Sequence, residues 1–355
     1  MTSINEVRDM LLRVLDVYTP SGEEWKLHEP LQEISSRLGY ENYFVDKVGN
    51  FIAEYGFGKT ILLAGHMDTV PGKLDVKVSN DEVWGRGAVD AKGPLIAMLL
   101  GAAKAKDSVK GVRVVVACLV DEEREGKGAN YLVDSGFKAD HIIIGEPTGT
   151  TGVAIGYRGS LTVRVNVYAS GGHSSAPYMG ESALDKFFTF WEEIKRNFSG
   201  RGYDETSACI TVLEAGDWPT KLPEFVRAVI NIRIPCNMFS KQILSKLEEL
   251  CLEHGCELLV LERTEPVKVS LSSPVPRSLI RGMLKIGMKP KAVMKTGTSD
   301  MNVIYRISSD IAAYGPGDSL LAHTTLERIS VKDVLTAAEV YKNCILELAS
   351  FGQTR

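Results

Sequence analysis

The sequence predicts an α/β protein in which a mainly parallel sheet with helices on both faces is interrupted by a smaller α+β domain. Up to about residue 150, short apolar segments alternate with amphipathic helical segments. The middle of the chain instead alternates single apolar and polar residues, as strands with one wet face do, and the first pattern resumes after Pro274. The chain has 355 residues, more than one hydrophobic core usually holds, which also favours two domains.

The first segment provides the expected parallel strands and their covering helices. Strands are predicted at residues 60–64, 112–120 and 141–144, and helices at residues 95–106 and about 128–134. Each strand runs into polar residues at its carboxyl end, where open parallel sheets bind their ligands. Those residues are His66, the run 121–123 and Glu146. Any chemistry is therefore expected at this edge of the sheet.

The middle segment predicts a second, smaller sheet. Its elements follow the order strand, helix, strand, strand, helix, strand, at residues 161–167, 182–197, 208–213, 226–234, 241–254 and 257–262. This order suggests a small sheet with two helices on one face. Strands at 292–295 and 311–314 and a helix at 331–349 then complete the main domain. We therefore predict a main domain of residues 1–152 and 269–355 and an inserted domain of residues 153–268.

Composition and charge exclude several classes of function. Apolar residues make up 44% and charged residues 24% of the chain, values typical of a globular protein. The formal net charge is -4 and the basic residues are scattered, so neither nucleic acid nor a membrane is an expected partner. Charged residues within positions 1–15 exclude the apolar core of a signal peptide, and no stretch approaches the roughly 20 apolar residues of a membrane-spanning helix. A cytoplasmic protein is expected.

The six cysteines are far apart in the sequence and form no Cys-x-x-Cys pair. This spacing is typical of reduced, mostly buried thiols. Cys251 and Cys256 are the nearest pair, and no second pair accompanies them, so a zinc-thiolate site is not expected.

Five polar clusters lie at the predicted strand ends or in glycine-rich loops of the main domain. They are residues 65–71 (Gly-His-Met-Asp-Thr-Val-Pro), 85–93 (Gly-Arg-Gly-Ala-Val-Asp-Ala-Lys-Gly), 121–123 (Asp-Glu-Glu), 145–148 (Gly-Glu-Pro-Thr) and 315–317 (Gly-Pro-Gly), the last followed by His323. Together they offer two imidazoles and several carboxylates but no cysteine, a ligand set that suits zinc and also cobalt or manganese. One such cluster alone is more often a surface or core feature. Their joint occurrence at the ligand-binding edge favours a metal centre.

Asp90 is the best candidate to bridge two metal ions, which in binuclear centres lie about 3.5–4 Å apart. It occupies a glycine-rich loop whose backbone can approach a metal centre closely. His66 and Glu146 would then complete the shell of one metal ion. Glu123 and His323 would complete the shell of the other.

Three neighbouring acids suggest further roles at this centre. Asp68 lies two residues beyond His66, on the same side of an extended segment, and could orient the imidazole by accepting its second N–H. Glu122 and Glu123 must point in opposite directions in an extended backbone. One of them can therefore bind metal while the other faces the substrate and takes a proton from the attacking water.

Taken together, these motifs resemble those of the co-catalytic zinc metallopeptidase family that includes aminoacylase, acetylornithine deacetylase, succinyl-diaminopimelate desuccinylase and glutamate carboxypeptidase. The resemblance covers nearly the whole chain. It implies a zinc-peptidase-like catalytic domain with two zinc ions per subunit. By position, it implies that one zinc is bound by His66, Asp90 and Glu146 and the other by Asp90, Glu123 and His323, that Asp68 orients His66, and that Glu122 is the general base.

The resemblance also gives the inserted domain a function. In this family that domain is typically ferredoxin-like and pairs two subunits, and the histidine of a Gly-Gly-His-Ser motif stabilises the oxyanion in the partner's active site. Here the motif lies at residues 171–174, which implies a homodimer with His173 as the oxyanion donor. Arg158, Arg233 and Thr298 are similar to positions that hold the substrate's carboxylate or carbonyl, although a charged residue on a wet face is often only solvated.

Within the family, the chain looks like a prokaryotic branch that releases lysine, and sometimes ornithine, from an amino-group carrier protein in lysine and arginine biosynthesis. This likeness rests on the sequences Gly-Tyr-Arg-Gly-Ser at residues 156–160 and Lys-Thr-Gly-Thr-Ser-Asp-Met-Asn at residues 295–302. The carrier of that branch is small and acidic, and its glutamate side chain is amide-linked to the amino acid. Basic residues near the site would then dock it. Candidates by position along the chain are Lys73, Lys77, Arg86 and Lys92.

Other interpretations use the same metal centre. The chain could be an acetylornithine deacetylase, a succinyl-diaminopimelate desuccinylase or a di- or tripeptidase, because pocket shape rather than the ligand motif sets acyl specificity. A non-catalytic scaffold would normally have lost a ligand or the base, and every one of those positions is occupied here.

Overall fold

The computed structural model describes residues 3–351. Contacts within the chain divide it into two compact units. The first unit contains residues 3–155, 269–293 and 299–351. The second contains residues 156–268 and 294–298.

Helices and strands alternate along most of the chain. The strands are β1 (Asn42–Val45), β2 (Phe51–Gly56), β3 (Lys59–His66), β4 (Lys77–Ser79), β5 (Glu82–Trp84), β6 (Val112–Leu119), β7 (His141–Gly145), β8 (Gly152–Tyr157), β9 (Gly159–Tyr168), β10 (Gly172–His173), β11 (Ser207–Ala215), β12 (Lys221–Leu222), β13 (Phe225–Ile234), β14 (Glu257–Thr264), β15 (Val267–Lys268), β16 (Lys291–Lys295), β17 (Ile311–Tyr314) and β18 (Arg328–Ser330). The α-helices are α1 (Ile4–Leu15), α2 (His28–Arg37), α3 (Lys92–Ala105), α4 (Lys127–Asp134), α5 (Ala183–Asn197), α6 (Ser240–His254), α7 (Pro274–Lys285), α8 (Met301–Ile304) and α9 (Val331–Ser350).

The first unit is built on a sheet with the strand order β1-β2-β6-β3-β7-β17-β8. Its four central strands, β6, β3, β7 and β17, are parallel, whereas β1, β2 and β8 pair antiparallel at the two sides. The predicted α/β fold class is therefore confirmed, with its parallel pairing concentrated at the centre. The register aligns His66 with Leu119 and Gly145 with Tyr314, so the central strands end at a common edge.

Helix α3 is buried along almost its whole length, as expected for a helix that covers a parallel sheet. Two glycines allow it to lie close to the strands. A Cβ atom on Gly65 would be 2.9 Å from the Cε of Met98, and one on Gly145 would be 2.5 Å from the same atom. These glycines directly precede His66 and Glu146, so close packing against α3 explains part of both sequence motifs.

Other helices pack against α3 in the same unit. Helix α9 contacts α3 and α7, and α1 contacts α3 and α9. Within residues 3–351, no helix combines the length and the apolar character needed to cross a membrane.

The second unit contains an antiparallel sheet with the order β11-β13-β9-β14. Alternate residues of β9 and β13 point to one face, where they pack against α5 and α6. Phe187 and Phe190 of α5 and Leu247 of α6 are among the fully buried residues of this core. The predicted small sheet with two helices on one face is confirmed.

Candidate metal centre

The polar clusters of the first unit converge at the carboxyl edge of its parallel strands. His66 is the last residue of β3, Glu123 follows β6, and Asp90 lies in the loop that precedes α3. One potential ligand atom from each of these three residues lies within 4.8 Å of the other two. The strands thus bring together residues that are far apart in sequence.

Asp90 lies between the two imidazoles of the site. Its Oδ1 is 3.2 Å from Nε2 of His66, and its Oδ2 is 3.3 Å from Nε2 of His323. Glu123 Oε1 is 2.9 Å from the same His323 nitrogen. A carboxylate with one oxygen directed at each imidazole is the arrangement that a bridge between two metal ions requires.

The hydrogen bonds of His66 leave its second nitrogen suited to bind a metal. Nδ1 lies 3.0 Å from the backbone oxygen of Asp68, which can only accept, so Nδ1 carries a hydrogen and donates it. In the neutral imidazole, Nε2 then holds the lone pair. This nitrogen faces Asp90, and the donor set of imidazole nitrogens and carboxylate oxygens fits divalent zinc, cobalt or manganese.

The charges of the site favour bound cations. Hydrogen bonds to Asp90 and Glu123 raise the pKa of His323 to about 10. Burial opposes protonation of His66, but hydrogen bonds to Asp68 and Asp90 outweigh it and hold the pKa of His66 well above its usual value. The excess of carboxylates therefore attracts positive charge to both imidazole positions, and metal ions compete there with protons.

Asp68 connects the first imidazole to the turn that carries both glutamates. Its side chain is fully buried, and its Oδ1 and Oδ2 accept the backbone N–H groups of Glu122 and Glu123, each at 3.1 Å. Oδ2 also accepts the Ser21 hydroxyl at 2.6 Å. Burial opposes ionisation, but hydrogen bonds from His66 and Ser21 lower the pKa of Asp68. Asp68 therefore stays ionised and orients two parts of the site.

Glu122 occupies an environment that favours its protonated form. Burial is the main cause, and the negative charges of Asp300, Glu146 and Glu123 add to it. They hold the pKa of Glu122 well above its usual value, while His66 opposes the shift. A carboxyl group with a raised pKa is suited to accept a proton near neutral pH.

The two remaining predicted ligands, Glu146 and His323, differ in their exposure to solvent. Glu146 is buried directly after β7. His323 is half exposed and adopts the left-handed backbone conformation, with φ of 63°, which side chains rarely adopt outside functional or turn positions. In the part of the chain that the structure describes, neither residue belongs to the group of three that meets within 4.8 Å.

Glu327 and Arg86 form a buried pair that the sequence did not indicate. Glu327 Oε1 accepts the backbone N–H groups of Val89 at 3.0 Å and Asp90 at 3.2 Å. Its Oε2 accepts Arg86 Nη1 at 2.8 Å, and the same guanidinium nitrogen donates to the backbone oxygen of Thr324 at 3.2 Å. The pair thus holds the backbone of Asp90 and the residue that follows His323. Because 237 positions separate Glu327 from Asp90, no local motif could have revealed it.

Two of the predicted docking residues are buried. Arg86 is 7% exposed, and Lys92 is fully buried with its Nζ donating to the Val17 backbone oxygen at 2.6 Å. The prediction that they form part of a docking surface is therefore wrong, since both are bound inside the unit. Lys73 and Lys77 are exposed.

Asp300 is a further acid near the site. It is almost completely buried, and its Oδ2 has no hydrogen-bond partner among residues 3–351. Burial raises its pKa to about 7. The sequence predicts a role for Thr298 but not for Asp300, although both belong to the same Gly-Thr-Ser-Asp motif at residues 297–300.

His173 belongs to the second unit and is exposed. Its Nδ1 accepts the backbone N–H of Ser175 at 3.1 Å, and the Ser175 hydroxyl lies 2.8 Å from the same nitrogen. A neutral His173 therefore carries its hydrogen on Nε2, which can donate to an acceptor outside the loop. Thr298 lies half-buried after β16.

The two predicted substrate arginines have different surroundings within the second unit. Arg158 is buried, and its Nη2 donates to the backbone oxygens of Glu205 and Arg233. Arg233 lines a cavity of about 530 Å³ together with Thr162, Ser207 and Asn231. Its Nη1 has no hydrogen-bond partner among the described residues.

Comparison with known proteins identifies relatives that span almost the whole chain. The profile described as Peptidase family M20/M25/M40 matches residues 62–347. A relative from Sulfurisphaera tokodaii, named LysW-lysine/LysW-ornithine hydrolase, is 37% identical over 98% of this chain and 96% of its own. A relative from Aeropyrum pernix is 40% identical over 96% of this chain and 95% of its own. The crystal structure of aminopeptidase PepT from Bacillus cereus covers 98% of this chain and 99% of its own with a TM-score of 0.84, but at 21% identity it shares only the fold.

Proposed function

Because this chain belongs to peptidase family M20/M25/M40 and is one of its metallohydrolases, we propose that it hydrolyses the amide bond joining lysine or ornithine to the carrier protein LysW. The substrate assignment is supported by relatives that bear this activity in their name and align over almost the full length of both chains. The chemistry is supported by one observation above all, the position of Asp90 between His66 and His323.

Two zinc ions are the proposed cofactors, and cobalt or manganese could replace them. His66, Asp90 and Glu146 would hold one ion, and Asp90, Glu123 and His323 the other. Bound metal would supply a Lewis acid for the amide carbonyl and would lower the pKa of the attacking water. Glu327, through the backbone of Asp90, keeps the bridging carboxylate in place.

Glu122 is the proposed general base and acid. Its backbone N–H is fixed by Asp68, so its side chain is presented from a defined position beside the ligand Glu123. Its raised pKa suits a group that takes a proton from water and returns it to the departing amine. Asp68 orients His66 and, through the same carboxylate, this turn.

His173 is the proposed oxyanion donor, supplied to the active site of a second subunit. The Nε2–H that remains free to donate supports this role. Pairing through the inserted domain of residues 153–268 is supported by its edge strand β14, where the apolar residues Leu259, Val260 and Leu261 are exposed in succession. Such an edge tends to pair with another chain, and the result would be a homodimer.

Substrate binding is proposed to involve Arg233 and Thr298. Arg233 lines a cavity with polar residues beside it, and its planar guanidinium suits the carboxylate of the released amino acid. Arg158 was predicted for the same task. Its contacts with Glu205, Ser207 and Arg233 instead favour a supporting role for it in this proposal.

The carrier protein is proposed to dock beside the glutamate turn. Arg124 directly follows Glu123, and Lys127 lies three residues further along the chain. Both are about half exposed, and Lys73 is exposed as well. Exchanging Lys127 for glutamate should raise KM for the carrier-linked substrate and leave KM for acetylornithine unchanged. Equal effects on both substrates would contradict this docking site.

Glu122→Gln tests the chemistry directly. The variant should bind metal as tightly as the parent protein and lose nearly all turnover of LysW-lysine. Glu125→Gln is the matched control, since Glu125 lies in the same turn and is exposed, and it should keep full activity. Retained turnover in Glu122→Gln would remove Glu122 from the mechanism. Faster turnover of acetylornithine, succinyl-diaminopimelate or small peptides than of LysW-lysine would replace the proposed substrate by one of these.

A further inference from the structure

Cys251 and Cys256 are brought together by the way helix α6 ends. Gly255 follows the helix in the left-handed conformation, with φ of 64°, and the backbone N–H of Cys256 donates to the backbone oxygen of Cys251 at 2.8 Å. This is the Schellman arrangement, in which the side chain after the glycine packs against the side chain five positions earlier. In this chain both of those side chains are free thiols, and the Cys256 thiol lies 3.8 Å from the backbone oxygen of His254, to which it can donate.

The two thiols differ in access to solvent. Cys251 is 4% exposed and belongs to the apolar core of the second unit, whereas Cys256 is partly exposed. The neighbouring thiol lowers the pKa of Cys256 and raises that of Cys251. The more accessible sulfur is therefore also the one that forms a thiolate more readily, as expected for the attacking member of a redox pair.

We propose that Cys251 and Cys256 form a reversible disulfide site that reacts with low-molecular-weight disulfides. The Cys256 thiolate attacks one sulfur of the reagent, breaks its S–S bond and releases one thiol, leaving a mixed disulfide on Cys256. Cys251 then loses its proton and attacks the Cys256 sulfur, which releases the second thiol. Two electrons and two protons pass to the reagent, and one S–S bond forms in the protein as one is broken in the reagent.

The product would link the last turn of α6 to the residue that precedes the edge strand β14. This site does not depend on the metal centre or on the proposed substrate. Oxidation can therefore be measured on the full-length protein without an activity assay.

The test is oxidation by glutathione disulfide, followed by alkylation of the remaining thiols and peptide mass analysis. The parent protein should lose two thiols and yield one peptide pair linked through residues 251 and 256. Cys209→Ser is the matched control, because Cys209 is a single exposed thiol of the same unit, and it should give the same linkage. Cys251→Ala should stop at a glutathione adduct on Cys256.

Two results would overturn the proposal. One is a glutathione adduct that persists on Cys256 of the parent protein, since Cys251 would then be unable to resolve it. The other is reaction at Cys209 while Cys251 and Cys256 both stay reduced. Circular dichroism of Cys251→Ala shows whether this variant is folded, and the parent and Cys209→Ser measurements decide the question even if it is not.

Discussion

Replacing Glu327 by glutamine would remove a buried negative charge while keeping the shape of the side chain. Glu327 is 1% exposed, and its carboxylate accepts two backbone N–H groups as well as Arg86. A glutamine oxygen can still accept the backbone N–H groups of Val89 and Asp90. The amide nitrogen would then face the guanidinium of Arg86, and no hydrogen bond could form because both groups are donors. The variant therefore isolates the ion pair.

The expected loss of stability follows from these contacts. Breaking a buried pair by removing one partner costs about 3–5 kcal/mol. Arg86 would keep its hydrogen bonds to the backbone oxygens of Gly72 and Thr324, and burial already raises the pKa of Glu327, so we expect the lower end, about 3 kcal/mol. Since repulsion between the new amide and Arg86 would displace the side chain that holds the backbone of Asp90, metal affinity should fall about 10–100-fold.

Two measurements check this prediction. Urea denaturation of the metal-free protein gives the change in the free energy of unfolding, and competition with a chromophoric chelator gives the metal affinity. Glu82→Gln is the matched control, because Glu82 pairs with Arg328 at the surface, 43% exposed, and should lose under about 1 kcal/mol. If Glu327→Gln matched Glu82→Gln in both measurements, the buried pair would have no positioning role. Replacing both Arg86 and Glu327 by leucine should cost less than the sum of the single changes.

Four further predictions concern the same site. Ser21→Ala removes the hydroxyl that donates to Asp68 at 2.6 Å, so kcat should fall about tenfold with little change in KM, and a parent-like kcat would show that Asp68 does not need it. Burial raises the pKa of Asp300 to about 7, against about 3.9 in the unfolded chain. The folded metal-free chain therefore binds a proton that the unfolded chain lacks, and stability should fall as pH rises from about 4 to about 7 and level off above. Urea midpoints should lose this slope in Asp300→Asn, and an unchanged slope would assign it to another group. Arg233→Lys should raise KM for LysW-lysine at least about tenfold, because lysine lacks the planar pair of donors, and unchanged KM in steady-state assays would remove Arg233 from substrate binding. Removal of metal by a chelator should abolish turnover, and added zinc, cobalt or manganese should restore it; turnover by metal-free protein, checked by elemental analysis, would contradict a metal mechanism.

The strands of the main sheet were predicted most clearly where the sequence contains long runs of apolar residues. The apolar runs that became β3, β6 and β7 are buried on both faces, and such runs are the clearest signal of parallel strands. Strand β1 is only four residues long and mostly exposed. It pairs only with β2, and the sequence did not predict it.

The candidate site was predictable to the extent that its residues stand at strand ends. His66 ends one buried strand and Glu123 lies shortly after another, and the parallel register brings these two strand ends to one edge of the sheet. Glu327 and Ser21 follow no strand of the sheet, and each acts through hydrogen bonds with residues far away in sequence. Such contacts exist only once the chain has folded, so neither composition nor spacing can indicate them.

The two buried cations show why position along the chain misled the docking prediction. Arg86 and Lys92 flank Asp90 in sequence. The glycine-rich loop that brings Asp90 to the site also buries both of these side chains. A centre that concentrates carboxylates needs positive charge nearby when metal is absent, and a cation can supply it only if it is close and shielded from water. Burial lowers the pKa of Lys92 to about 7, while Glu327 and Asp68 act in the opposite direction. A basic residue beside a carboxylate ligand can therefore have either of two roles. If it is buried, it stabilises the carboxylates of the metal-free centre. If it is exposed, it can bind an acidic partner, so only burial distinguishes these roles.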